Sequence, residues 1–373
     1  MGCLLTDTTK NNTPNRNLAM DGIRGLAVLI VFLSHTSGRD QSLSPLLQFN
    51  GIGHVGVYLF FVLSGYLLAS TLIDEWYRNG SISVKNFLIR RFFRIAPLYY
   101  FVLVIVFLYQ QITSQFYSSY LHINNGLVGF IKHLFFIKGD GVFWTLPTEF
   151  IFYLILPWLV ILGLRKGKSA YYFLSGCALV YFFWFLLILQ HIIPETLALK
   201  LVGISHNSQF LDVFLCGVLA SFAQRNKFLA EVFRQNVKII DRVAVYGLLM
   251  TLLLTFAMVS FNFLGLERPF YGLRWASLGY GLIFAFIILA TSLNGAVCKI
   301  FETKVLRLLG IVGFSWYLIH FFVLQVVNHF SLSPPLKFTL STFLLVVLSS
   351  VLYVFIEKPF IEIGKKFTQR HIR

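Results

Sequence analysis

The chain has 373 residues, of which 57% are hydrophobic and only 12% charged, whereas soluble domains average about 25% charged residues; an ordinary soluble globule is excluded and a bilayer is the implied solvent. A net charge of +16 would suggest nucleic acid in a soluble protein, but in a membrane protein it arises from Lys and Arg gathered in cytoplasmic loops. Cys3, Cys177, Cys216 and Cys298 contain no CxxC pair, so neither a disulfide framework nor a metal site is expected.

The N-terminus reads Met1-Gly2-Cys3-Leu4-Leu5-Thr6, a short N-myristoylation pattern beside a palmitoylatable Cys that chance alone readily produces. It is polar through Asn17, and Asp21 and Arg24 interrupt the first apolar run, so no cleavable signal peptide is expected. Apolar runs of about 20 residues, enough to cross a bilayer, fall near 18–37, 53–73, 95–113, 143–164, 170–190, 208–224, 243–264, 272–292, 308–328 and 338–357. The predicted fold is all-α, a polytopic integral membrane protein with about ten transmembrane helices. One membrane domain, 18–358, lies between a cytosolic N-terminal tail, 1–17, and a cytosolic basic tail, 359–373. Gly279, Gly281, Gly310 and Gly313 mark where the eighth and ninth spans tilt or break.

Basic residues alternate from connection to connection. Arg78 to Arg94, Arg165 to Lys168, Arg225 to Arg242, Lys299 to Arg307 and Lys358 to Arg373 are rich in Lys and Arg, while the intervening connections hold only Arg39, Lys132, Lys138, Lys200, Arg268, Arg274 and Lys337. Both termini are therefore expected in the cytosol. The outer connections 114–142, with an apolar stretch from Leu127 to Phe136, and 191–207, with His191, Glu195 and His206, are the expected acceptor-facing loops.

An ionisable residue inside a span costs about 2.5 to 3.5 kcal/mol on insertion scales, which makes each a functional candidate. Asp21, Arg24 and His35 lie in the first predicted helix, Glu149 in the fourth, Asp212 in the sixth, His320 in the ninth and Glu357 at the end of the tenth. Eleven residues separate Arg24 from His35, which puts them within about 20° of one helix face and roughly 16 Å apart along the axis. That spacing is comparable to an extended pantetheine arm, so an anion held at Arg24 presents its far end to His35, both looking into one cavity. Asp21 is placed to orient the Arg24 guanidinium, or simply to neutralise it. Arg90, Arg91 and Arg94 open the third span, either as snorkelling anchors or as a phosphate clamp, which the planar guanidinium fork suits. Gly56, Ser64 and Gly65 suit close helix packing, with Ser64 a candidate cavity residue; no Gly-x-Ser-x-Gly elbow supports a serine nucleophile. Glu149 is a candidate to hold an imidazole in one tautomer or to bind an acceptor hydroxyl.

Taken together, Asp21-Gly22-Ile23-Arg24-Gly25 with Arg24-x10-His35, Phe60 to Tyr66, Arg90-Arg91-Phe92-Phe93-Arg94, Trp144-Thr145-Leu146 with Glu149 and Tyr153, Phe314 to His320 through Tyr317, and Ile356-Glu357-Lys358-Pro359 resemble the membrane acyltransferase 3 family. Trp316 and Lys358 depart from the family's commoner Tyr and Arg. The resemblance implies transfer of an acyl group, usually acetyl from acetyl-CoA, to a glycan hydroxyl such as one in O-antigen, with no metal. The resemblance makes the Arg24–His35 pair essential; together with the residue reading above, His35 and Glu149 are the expected catalytic residues and Arg24, Arg90, Arg91 and Arg94 the expected donor contacts. Asp21, Ser64, Trp144, Tyr153, Tyr317, His320 and Glu357 are the implied supporting residues. His35 serves as general base or as transient acyl carrier. Acyl-CoA, a glycan or lipid-linked oligosaccharide and membrane lipid are the expected partners. A transporter or flippase for a lipid-linked sugar is the competing class, against which the absence of an internal repeat counts.

The charge alternation makes a topology prediction. A cysteine introduced near Lys138 reacts with an impermeant thiol reagent in intact cells and one near Lys166 does not; the reverse pattern inverts the orientation.

Overall fold

A computed structural model describes residues 18–37, 41–43, 51–112, 126–166, 210–263 and 277–369, with a few isolated positions between them. The N-terminal tail, the expected span at 170–190 and the connection 191–207 lie outside the described residues. The described regular structure is entirely helical: α1 (Leu18–Ser37), α2 (Gly53–Asn79), α3 (Val84–Ile112), α4 (Gly126–Leu134), a 3-10 turn (Gly141–Trp144), α5 (Thr145–Lys166), α6 (Leu211–Arg225), α7 (Lys227–Gln235), α8 (Val237–Phe263), α9 (Ser277–Thr291), α10 (Ala296–Phe301), α11 (Lys304–Ile311), α12 (Gly313–Asn328), α13 (Pro334–Leu352), a π-turn (Tyr353–Glu357) and α14 (Lys358–Gln369).

Five segments are long and apolar enough to cross a membrane: α1, α2, α3, Gly141–Arg165 and the run Pro334–Gln369. A sixth is formed if α11 and α12, bent by 79°, count as one broken span, and α9 is a shorter apolar helix. These helices, not the full set of about ten, are what the described residues supply. The eighth expected span is unbroken across Gly279 and Gly281, whereas the ninth breaks between Ile311 and Gly313. The third begins eleven residues earlier than its apolar run, so Arg90, Arg91 and Arg94 lie within the helix. The last continues as helix to Gln369, past the boundary expected at 358/359.

Burial separates centre from rim. In α1 and α2 about two thirds or more of the apolar window is buried (67% and 72%), against 17% in the final helix, whose Phe343, Val346, Val347 and Val351 face outward as a lipid-exposed surface does. At the centre, small residues bring backbones together. A Cβ on Gly22 or Gly25 would collide with the carbonyls of Phe301 or Leu306, and one on Gly310 with that of Asp21. Gly65 of α2 and Gly217 of α6 meet the Phe214 and Val62 carbonyls in the same way, and Phe214 stacks between Phe61 and Phe152 at 4.2 and 4.1 Å.

The stretch around α4 is tied to α3 by polar contacts. Tyr99 and Tyr100 donate to the His133 and Leu134 carbonyls at 3.0 and 2.8 Å, while Leu127, Val128 and Phe135 are exposed. His133 is fully buried; its Nδ1 donates to the Gly129 carbonyl at 2.8 Å and its Nε2 accepts from the Asp140 N–H at 2.9 Å. Both ring nitrogens are thus used by the neutral form. Burial lowers the His133 pKa from its ordinary value, against the opposing effects of the Gly129 bond and Asp140.

Because the unfolded chain takes up this proton first, at about pH 6.5, His133 contributes stability that is complete above that value and falls as pH drops through it. Thermal unfolding of the purified protein at pH 7.5 and 5.5 checks this: the wild type loses more Tm on acidification than His133→Gln, which has no proton to gain.

Candidate active site

The site is built around α1, whose two ends carry different chemistry. Toward its N-terminus Arg24 Nη1 donates to Asp21 Oδ1 at 3.2 Å. Gly313, the first residue after the break in α11–α12, sits against the Arg24 chain, where a Cβ would lie 3.5 Å from Cγ. Arg24 thereby reaches a cavity of about 130 Å³ that it shares with Ser64, Arg91, Arg94, Glu149 and Tyr153.

The three guanidiniums at this cavity are not equivalent. Arg94 Nη1 stands 3.0 Å from Oε1 of the buried Glu357, but off the hydrogen-bond line, so that this oxygen accepts no hydrogen bond. Glu357 Oε2 accepts from Ser315 Oγ at 2.8 Å. Arg91 has no carboxylate within ion-pair distance among the described residues, and its buried Nε has no hydrogen-bond partner. Arg90, expected in the same clamp, instead reaches Glu75 at 3.5 Å and does not line the cavity. Its place on α3 turns it toward the α2–α3 connection, where Glu75 also accepts the Ser83 N–H at 2.9 Å.

Glu149 is held from within its own helix. Tyr153, one turn on, donates to Glu149 Oε2 at 2.6 Å, and Arg94, Arg91 and Arg24 are the cations within electrostatic range. Among the described residues the hydrogen bond to this carboxylate comes from Tyr153 and not from an imidazole. Tyr317 closes the cavity from α12: its hydroxyl donates to the Val142 carbonyl at 3.0 Å and accepts from Thr145 Oγ1 at 3.3 Å. Trp144 packs among His54, Phe61 and Phe210, outside the cavity lining.

The opposite end of α1 holds a second cluster. His35 is half-buried and is not part of the cavity lining; it faces α12, where its Nδ1 lies 3.0 Å from Nε2 of the fully buried His320. The rings stand 5.1 Å apart at 25°, with Phe321 at 4.3 Å from His35. Gln41, which no local pattern singles out, anchors this end. It is completely buried, donates to the Leu324 carbonyl at 2.7 Å and accepts from Ser341 at 2.8 Å, binding the segment after α1 to α12 and α13. Among the described residues no group of three His, Cys, Asp or Glu is placed to hold a metal ion.

The profile of a family described as an acyltransferase domain, the acyltransferase 3 family, matches residues 17–354. The chain belongs to that family. It is similar to the peptidoglycan O-acetyltransferase OatA of Listeria monocytogenes, at 27% identity over 326 residues covering 81% of this chain and 48% of the relative. It is also similar to the O-acetyltransferase OatA of Staphylococcus aureus, at 24% identity covering 96% of this chain and 59% of the relative. The chain thus spans about half the length of the curated relatives it matches. No solved structure matches it. The family match spans α1 to the π-turn, so the arginine cavity and the histidine pair both fall inside the matched region.

The Arg94–Glu357 pair makes a stability prediction. Arg94→Met leaves a buried carboxylate without its cation and lowers stability by about 3 to 5 kcal/mol, and Arg94→Met/Glu357→Leu recovers much of that loss. Thermal unfolding of the single and double variants measures it; a double variant no better than the single one removes the pair as the cause.

Proposed function

We propose that this member of the acyltransferase 3 family is a membrane O-acyltransferase that carries an acyl group, acetyl in the first instance, from a cytosolic acyl-CoA to a hydroxyl of a cell-surface glycan. The observation that carries the reading is Arg91: a guanidinium with no carboxylate within ion-pair distance among the described residues, in one cavity with Arg24 and Arg94. Such a group calls for an anionic ligand, and the planar fork suits phosphate oxygens. The donor's phosphates rest at this cavity, on the cytosolic side, and its pantetheine arm follows α1 for the roughly 16 Å that eleven helical residues rise. The thioester then reaches the His35 end, facing the outer side.

There His35 acts as general base. The acceptor hydroxyl loses its proton to the imidazole as its oxygen bonds to the thioester carbonyl carbon; the C–S bond breaks, and the proton passes to the departing thiolate, giving free CoA and an ester. Glu149, held by Tyr153, balances the charge of the arginine cavity when no donor is bound. The acceptor is a polysaccharide of the cell surface. The Listeria relative is named for peptidoglycan, which ranks that glycan above the O-antigen expected from the sequence.

Acetyl-CoA-dependent O-acetylation of the cell-wall glycan tests this, with thiol release in membrane vesicles as the direct assay. Arg91→Ala raises KM for acetyl-CoA by at least about tenfold, as loss of a charge-assisted contact of about 1.5 to 3 kcal/mol requires, and leaves Tm within a degree or two. His35→Ala abolishes transfer, since base catalysis contributes about 10² to 10⁴ in rate. Glycan movement without thiol release would place the chain among transporters instead.

A further inference from the structure

The geometry points to His320 as a positioning residue that sets the tautomer of His35 and makes His35 Nε2 the nitrogen that meets the acceptor. This rests on the reading of His35 as the base, and it comes from two consecutive hydrogen bonds. His320 Nδ1 is 2.6 Å from the carbonyl oxygen of Tyr317, one turn earlier on the same helix. A carbonyl oxygen only accepts, so His320 Nδ1 carries hydrogen. In a neutral imidazole the other nitrogen then holds a lone pair. That nitrogen, Nε2, is the one 3.0 Å from His35 Nδ1, so His35 must donate, and its own lone pair is left on Nε2.

The direction matters because a free histidine side chain prefers the opposite tautomer, with hydrogen on Nε2, which has no basic nitrogen at its tip. His320 reverses that preference by offering an acceptor at Nδ1, as a second partner commonly does for a working histidine. The Ser-His-Asp triad assigns this task to a carboxylate, and its loss there through a wrong tautomer costs about 10⁴ in kcat. Here the acceptor is neutral, which suits a site without a second charge to bury: His320 is 1% exposed, and Phe321 packs on both rings at 4.3 and 4.5 Å. When Nε2 takes the acceptor's proton, the Nδ1–H···Nε2 bond becomes charge-assisted and shortens. The same tautomer serves if His35 attacks the thioester itself, since that step also needs the Nε2 lone pair.

The experiment compares two substitutions in membrane vesicles supplied with acetyl-CoA and peptidoglycan fragments, read as thiol release. His320→Gln places an amide oxygen near the position of Nε2, keeps the acceptor and holds kcat within about tenfold of wild type. His320→Leu fills the same space without an acceptor and loses at least about a hundredfold in kcat, with KM for acetyl-CoA unchanged. A folded His320→Gln as inactive as His320→Leu overturns the proposal, because His320 would then have to carry a proton itself; so does a His320→Leu with wild-type kcat. The wild-type protein supplies a test independent of variants. In 15N spectra of histidine-labelled protein, with His35 assigned by its loss in His35→Ala, Nδ1 carries the proton and Nε2 does not; the opposite assignment overturns the proposal. An active His35→Ala sinks the base reading instead, whatever His320 does.

Discussion

The arrangement depends on how closely α1 can approach the bent pair α11–α12. Gly22 and Gly25 press backbone against backbone on Phe301, Leu306 and Gly310, an approach that any side chain at those positions would prevent. Membrane helices gain little from burying apolar surface against one another, since lipid is as apolar as leucine; close van der Waals contact between small residues does that work. With α11 seated on the N-terminal half of α1, the chain turns by 79° and α12 runs along the remaining half. Gly313 then falls beside Arg24 and His320 beside His35. One contact thus registers both ends of the site.

The second constraint is charge in a medium that tolerates little of it. Most cations in the described core have a carboxylate: Arg24 has Asp21, Arg90 has Glu75, Arg94 has Glu357, and Arg225 reaches Asp74 at 2.6 Å. These pairs act between helices as well as within them, so they also fix rotation about the helix axes. Glu357 illustrates the backbone's part. It ends a π-turn, a local widening often found at functional positions, and from there its carboxylate meets both Arg94 of α3 and Ser315 of α12. Set against this pattern of pairing, Arg91, like Arg307 farther along the chain, has no carboxylate within ion-pair distance among the described residues, and Arg91 is the one of the two that faces the cavity.

The sequence announces whatever is local. Hydropathy finds the long helices, and an eleven-residue spacing puts Arg24 and His35 on nearly one face, because helical periodicity needs no tertiary information. The Asp21–Arg24 pair is legible for the same reason, being one turn apart. What could not be read are the contacts between distant segments. The neighbour of His35, His320, comes 285 residues later; Arg94 and Glu357 are likewise far apart in the chain. Arg90 and Arg91 are adjacent, yet about 100° of helix rotation sends one to Glu75 and the other into the cavity. Glu149 looked like a partner for an imidazole because its helix position is right, but which neighbour it faces depends on how α3 and α5 pack. Gln41 carries no signal at all: a glutamine in a connection is ordinary until burial makes its two hydrogen bonds obligatory.

The separation of the two clusters has a mechanistic consequence. An enzyme that drew donor and acceptor from the same side of a membrane would have no need to set its anion site one long helical rise from its base. In the proposed reaction, with the arginine cavity at one end of α1 and the imidazole pair at the other, α1 would act as a ruler whose length matches the flexible arm of the donor and not its acyl group. On that proposal only the thioester would need to reach the far end, and the charged nucleotide would stay out of the apolar interior, where each unpaired phosphate would be costly. Shifting His35 by one turn along α1 would therefore be more damaging than its chemistry alone suggests. It would break the hydrogen bond to His320 and move the base about 5.4 Å along the axis, away from where a thioester tethered at the arginine cavity can stand.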